Sequence, residues 1–161
     1  MIAGAPGPLV VDTHAAIWFL QRDERLSRRA RAEINGALAA GHSIHVPSIS
    51  LVELVYLVEK GKIPEAVVVR VDQVLRDPAS GFRLAPLDMR VAEATRRIPR
   101  HDVPDLPDRV IAATALALIF HWSLEMARFG AQASGRSGSG CAFIGNALPC
   151  SAPAGIRTFT C

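Results

Sequence analysis

Three acidic residues at the borders of apolar segments are the part of this chain that could do chemistry: Asp12, Glu53 and Asp108. Asp12 ends the run Pro8-Leu9-Val10-Val11 and is followed by Thr13 and His14. Glu53 stands between Val52 and Leu54 in the first turns of an apolar helical stretch. Asp108 opens the alanine-rich stretch Arg109-Val110-Ile111-Ala112-Ala113-Thr114-Ala115. Carboxylates at the edges of buried elements are costly unless positive charge sits among them, and a divalent cation held by oxygen ligands supplies it. The chemistry this implies is metal-assisted attack on phosphate esters.

Each acid also has a plainer role when taken alone. Asp12 reads as a helix N-cap or turn residue. Glu53 reads as a first-turn glutamate favoured by the helix dipole, and Asp108 as the partner of Arg109 in a surface ion pair. Asp105 reads as the cap of the helix that Asp108 begins. The argument for a shared site lies in the equivalent topological places of the three.

Apolar periodicity predicts the elements that must position them. Residues 8–12 form a short buried strand, after which Thr13 caps a helix with Ala16, Ile17 and Leu20 at helical spacing. Ser27 begins a second helix with Ala30, Ile34, Ala37 and Leu38 on one face, stopped by Gly41. A second strand covers 44–47, and Ser48 or Ser50 caps a third helix whose buried stripe is Leu51, Leu54, Val55 and Val58, ended by Gly61. Helices over 65–75, 91–98 and 107–120 and a third strand over 82–86 complete the pattern. This alternation predicts an α/β protein, a three-layer fold with a central parallel sheet and helices on both faces. Ligands of such sheets bind beyond the carboxyl ends of the strands, where all three acids belong.

Composition narrows the class. The chain has 161 residues, half of them apolar and 6% aromatic, which is enough for one domain with its own core. The longest apolar run, 110–122, is shorter than the roughly 20 residues needed to cross a bilayer. Residues 1–8 carry no basic flank and no long apolar core of a secretory signal, so a cytoplasmic protein with no membrane partner is expected. Net charge is +3, but three arginines and one acid beyond Phe120 account for +2 of it, leaving +1 on residues 1–120. The cluster Arg25, Arg28, Arg29 and Arg31 therefore reads as a solvated helix face rather than a nucleic-acid footprint. His42 and His45 lack a second ligand pair at zinc spacing, and His14 is not placed as a general base. No glycine-rich phosphate loop follows the first strand, where Asp12-Thr13-His14-Ala15 stands, which argues against a nucleotide-binding module or a phosphatase.

Residues 9–120 resemble the PIN-domain ribonucleases, specifically the VapC-type toxins of bacterial type II toxin–antitoxin systems. The matching stretches are 11–18, 46–54, 59–63 and 106–116, four ordered matches around Asp12, Glu53 and Asp108. The resemblance implies that these three acids bind Mg²⁺ or Mn²⁺ and catalyse hydrolysis of an RNA phosphodiester to a 3′-hydroxyl and a 5′-phosphate. It also implies a cognate antitoxin protein as partner and a homodimer. Thr13 and Ser50 are candidates for orienting water or phosphate oxygens, with helix capping as the plainer role of each. Trp18 reads as core or partner-facing.

Beyond Phe120 the chain departs from the family. Members continue with a strand of the type Pro-Leu-Val-Ser/Thr, then an aspartate that supplies a fourth acid, then a Lys-Ile turn. Here 120–130 reads Phe-His-Trp-Ser-Leu-Glu-Met-Ala-Arg-Phe-Gly, followed by a Gly/Ser-rich tail with all three cysteines, Cys141, Cys150 and Cys161. The predicted organisation is a flexible 1–8, a C-terminally incomplete PIN-like domain over 9–120 with its last strand lost, and a non-family tail over 121–161. Synonymous codons TTC CAT TGG TCT CTA GAG ATG GCA AGA TTC encode Phe120 to Phe129. Read from the last base of the first codon, they give Pro-Leu-Val-Ser-Arg-Asp-Gly-Lys-Ile, the family segment that is missing. Met and Trp have single codons, and the match is contiguous. A frameshift near residues 119–120 is the expectation, with a weakened metal site as its consequence. The alternative reading is a catalytically dead remnant acting only as an antitoxin-binding module.

Overall fold

A run of aliphatic residues with no polar alternation suits a strand covered on both faces, and Leu9–Val11 forms such a strand, β1, buried throughout. The computed structural model describes residues 9–129 and 157–159. After β1 come α1 (Thr13–Gln21), α2 (Arg28–Ala39), β2 (Ile44–Pro47), α3 (Ser48–Glu59) and α4 (Glu65–Arg76). They are followed by β3 (Phe82–Ala85), α5 (Met89–Thr95), α6 (Leu106–Phe129) and β4 (Arg157–Phe159). The strands run parallel in the order β3-β2-β1-β4, with Leu9 opposite Ile44 and Ile44 opposite Phe82.

Alternate residues of β1 serve opposite layers, as strand geometry requires. Leu9 and Val11 join Ile44, Val46 and Phe82 against Ala30, Ile34 and Ala37 of α2. Val10 faces the other way, onto Ile111 and Ala115 of α6. The sheet is thus the middle of three layers, as the sequence predicts. Two further clusters extend the layers. Ile17, Leu54, Val67 and Val71 join α1, α3 and α4, and Val91, Ala94 and Ile98 pack with Val110 and Ala113 of α6. The alanines of α6 let it lie close to its neighbours, which is how this helix meets β1, β2 and α5 together.

Several local expectations are corrected. Thr13 does not cap α1: Asp12 does, in an extended conformation, and Thr13 is the first helical residue. Neither Ser48 nor Ser50 caps α3, whose N-cap Pro47 makes no side-chain cap bond. Ser48 instead accepts a hydrogen bond from the Leu87 N–H, which fixes the start of α3 to the chain leaving β3. Ser27 caps α2 as expected, accepting from the Ala30 N–H.

The buried stripe of α3 is Ser50 and Leu54, while Val52, Val55 and Tyr56 are 63%, 50% and 55% exposed. Because α3 is apolar around most of its circumference, periodicity alone does not select the face that meets α1 and α4. Gly61 ends α3 as predicted, at φ 66°, with Lys62 and Gly61 donating to Leu57 and Val58 carbonyls.

The helix predicted to stop at Phe120 continues to Phe129, since no glycine or proline interrupts residues 121–129. The strand expected to be lost has a counterpart: Arg157–Phe159 lies along β1. Ladder pairing uses backbone groups, and those of Arg157–Phe159 pair along that edge of β1. The expectations for 1–8 and for the rest of the tail, its cysteines included, lie outside the described residues.

Candidate functional site

In the order β3-β2-β1-β4 the sheet grows one way from β1 to β3, and β4 is added on the other side. The carboxyl end of β1 is therefore the switch point where such sheets open a crevice. Asp12 stands there, directly after Val11, and is 6% exposed. Its Oδ1 accepts from the Ala15 N–H at 2.6 Å, so the bond that caps α1 also fixes the carboxylate.

Thr13 is 2% exposed, and its hydroxyl donates to Oε2 of Glu53, joining the start of α1 to α3. Glu53 is half-buried. Asp108 lies in the first turn of α6, with its carboxyl pushed above the usual carboxylate range. The residue is exposed to solvent, and partial desolvation of its carboxyl is the main cause, followed by the like charges of Asp105 and Glu53. Glu53 thus touches the neighbour of Asp12 on one side and acts electrostatically on Asp108 on the other.

Ser50 lies one turn before Glu53 on the same helix, and its Oγ is fully buried with no hydrogen-bond partner. An unpaired buried hydroxyl costs about 1–3 kcal/mol. Among the described residues, no three His, Cys, Asp or Glu side chains stand close enough to hold one metal ion as placed. The structure therefore links Glu53 with Thr13 and with Asp108 but does not close the three carboxylates around a point. In donor type the residues fit a hard divalent cation, being all oxygen. In charge they fit as well, since burial and acidic neighbours leave Asp108 short of positive charge.

The ion pair of Asp108 with Arg109 does not form. Arg109 turns back to donate to the Thr95 and Ile98 carbonyls, which holds the end of α5 against α6. Asp105 occupies the cap position through its carbonyl, which accepts from the Arg109 N–H. His14 is exposed and lies against Trp18, with ring centroids 5.7 Å apart. His45 sits on β2, where burial and then Arg83 lower its pKa. Trp18 packs between two core clusters under the Arg25 guanidinium, as its core reading anticipates.

Sequence reasoning missed the Thr13–Glu53 bond, which joins residues with no local pattern between them. It also missed that the arginine cluster divides. Arg25 pairs with Asp23 and Arg29 with Glu33, whereas Arg28 and Arg31 line a cleft with Arg22 and Arg70. The spacing of Arg28, Arg31 and Asn35 on one helical face was the available signal.

The structure is a parallel α/β sheet with Asp12 at its switch point, Glu53 on the helix after β2 and Asp108 in the first turn of α6. The PIN domain family matches residues 9–119, and the chain belongs to that family. PIN domains are generally metal-dependent nucleases that use divalent ions, which places the chain among hydrolases at the coarse level. Among solved structures it is similar to one described as VapBC2 from Rickettsia felis bound to a DNA fragment from their promoter. The TM-score is 0.51 at 19% identity, covering 70% of this chain and 83% of that one, a likeness of fold. No curated protein sequence matches the chain. Among the described residues, no helix is long and apolar enough to cross a membrane.

Proposed function

We propose that the chain is a VapC-type toxin, a Mg²⁺- or Mn²⁺-dependent endoribonuclease neutralised by a cognate antitoxin. The observation that carries this reading is the hydrogen bond from Thr13, next to the buried Asp12, to Glu53, which lies within electrostatic reach of Asp108. A divalent cation, when bound, lowers the pKa of water and shields the phosphate from its attacker. Asp12, Glu53 and Asp108 supply the oxygen donors. Thr13 holds Glu53 by donating to its carboxylate, and the Ala15 N–H holds Asp12. The N-terminus of α1 follows β1 directly and that of α3 follows β2, so both add positive dipole ends at the carboxyl edge of the sheet. The product ends are a 3′-hydroxyl and a 5′-phosphate.

The test is cleavage of RNA by the purified full chain with Mg²⁺ or Mn²⁺, beside Asp12→Asn and Asp108→Asn. Dependence on the ion and on both acids supports the reading; cleavage indifferent to both substitutions removes the site. A second reading is a non-catalytic remnant that binds antitoxin only. It is favoured by the unclosed acids and by the continuation of α6 through 121–129, where the family places its fourth acid. Antitoxin binding without any cleavage selects it.

The protein partners of this reading are the antitoxin and a second copy of the chain. The exposed Val52, Val55 and Tyr56 on one face of α3 support the expectation of a protein contact beside Glu53. We infer further that the sequence from about residue 120 derives from a shifted reading frame. Sequencing the locus and its transcript tests this, and one intact frame through the tail overturns it.

A further inference from the structure

Among the described residues three that bear hydroxyls are buried, Thr13, Ser50 and Thr114. Thr13 donates to Glu53, and Thr114 donates to the Val110 carbonyl at 2.8 Å. Ser50 Oγ has no protein partner, although Ser50 shares the buried stripe of α3 with Leu54, which packs on Ile17, Val67 and Val71.

The position of Ser50 in the fold explains why the ordinary outlets are closed. A hydroxyl inside a helix usually bonds the carbonyl four residues back, as Thr114 and Thr95 both do. For Ser50 that residue is Val46, which lies in β2 and directs its carbonyl across the sheet rather than along a helix axis. Capping is closed as well. The N-cap of α3 is Pro47, and Ser48 is the serine that accepts a backbone N–H, from Leu87 at 3.0 Å. An alanine at position 50 would bury as well and is the better helix former. The hydroxyl therefore destabilises the metal-free chain, and such costs concentrate where a site is arranged for a ligand.

Ser50 and Glu53 stand three residues apart on α3, which makes them neighbours on one face with Cβ atoms about 5–6 Å apart. Glu53 already accepts one hydrogen bond, from Thr13 on α1. A carboxylate has about four acceptor positions, and one that holds a cation is kept in orientation by the donors around it. Thr13 supplies such a donor from the neighbouring helix, and Ser50 can supply a second from Glu53's own. We propose that Ser50 is a positioning residue for the divalent cation, its hydroxyl donating to the Glu53 carboxylate in the cation-bound chain. This rests on the metal-dependent reading of the three acids and adds a coupling to it: the ion that they bind also satisfies Ser50. The hydroxyl then disfavours the metal-free chain and favours the cation-bound one. A hydroxyl satisfied by a resident buried water would favour both.

The experiment is calorimetric titration of the purified full chain with Mn²⁺, beside thermal melting of the metal-free chain, for wild type, Ser50→Ala, Ser48→Ala and Asp12→Asn. Ser50→Ala is expected to melt a few degrees above wild type without metal and to bind Mn²⁺ about tenfold more weakly. Ser48→Ala, in the same turn but already partnered, is expected to melt lower and to bind Mn²⁺ as wild type does. The opposed signs in Ser50→Ala are what a purely structural role does not give. Melting of Ser50→Ala below wild type without metal, or wild-type affinity for Mn²⁺, overturns the proposal and leaves the three acids standing. So does a loss confined to the KM for RNA, which would assign the hydroxyl to a phosphate oxygen. Failure of wild type to bind Mn²⁺, or binding that Asp12→Asn leaves unchanged, is a separate result that removes the nuclease reading and this proposal with it.

Discussion

Both ends of α1 carry charge of the sign that its dipole favours: Asp12 caps the N-terminus and Arg22 the C-terminus. Their surroundings differ. Asp12 is buried beside Thr13, whose hydroxyl bonds Glu53, and accepts from the Ala15 N–H, whereas Arg22 is exposed on the rim of an open cleft. Like charges around the cleft are screened by solvent. Like charges in the crevice are not fully screened, and burial with Asp105 and Glu53 raises the Asp108 carboxyl. The buried Asp12 and the exposed Arg22 thus differ in solvent screening as well as in sign.

The sharpest way to break this comparison is to neutralise the crevice. Asp12→Asn or Asp108→Asn is expected to lower Mg²⁺-dependent RNA cleavage on the order of 10²-fold or more, as loss of about 3 kcal/mol of transition-state stabilisation gives. The Arg28→Glu/Arg70→Glu variant is expected to cleave as wild type does, and a parallel loss there would merge the two regions into one site.

Next in size is Thr13→Val, which keeps the shape of a buried side chain and removes the donor to Glu53. Hydrogen bonds to charged groups contribute about 1.5–3 kcal/mol. Cleavage is expected to fall by roughly tenfold or more, with a higher metal concentration needed for half-activity. A metal titration checks this, and an unchanged midpoint would show that the bond does not position Glu53.

Smaller effects separate capping from charge. Asp12→Ala removes the acceptor of the Ala15 N–H and should cost about 1 kcal/mol in urea unfolding, while Asp12→Asn retains a good cap and most of the stability. Asp88→Ala is the comparison away from the crevice. The Val91 N–H and then Arg90 hold that carboxyl below its usual range, and its loss should also cost about 1 kcal/mol with cleavage unaffected.

The smallest expected effect is in pH. A carboxyl raised in the folded chain binds its proton more tightly there than when unfolded, so stability falls as pH rises from the ordinary carboxylate range through the raised value. Asp108→Asn should remove that slope, and at neutral pH the metal-free variant should melt slightly above wild type. Solvent exposure of Asp108 keeps the difference small. Mg²⁺ should raise the melting temperature of wild type and not of this variant. A metal-free variant less stable than wild type would mean that Asp108 is structurally favourable and not in electrostatic conflict.

Much of the fold was legible because it is encoded locally. The apolar run before Asp12, Ser27 ahead of Ala30, and Gly61 after α3 each act within a turn or a strand, and each lies where the sequence puts it. The buried face of α3 was not legible, since apolar residues surround that helix and packing against α1 and α4 makes the choice. The cap of α1 was open between Asp12 and Thr13, two adjacent residues both able to serve. Only the buried hydroxyl's bond to Glu53 shows why Thr13 was not used.

By itself, then, the sequence determined which residues carry charge at element borders, the alternation of strands and helices, and hence the family. Tertiary structure decided what those charges meet. It bonded Glu53 to Thr13 within electrostatic reach of Asp108, turned Arg109 away to the end of α5, and drew Arg70 of α4 to the rim that Arg22 and Arg28 share. It also laid Arg157–Phe159 along β1, where backbone groups rather than side chains select the partner. The physical reason is one of range: propensity and periodicity act over a few residues, whereas desolvation and Coulombic contact depend on distances that only the packed layers fix.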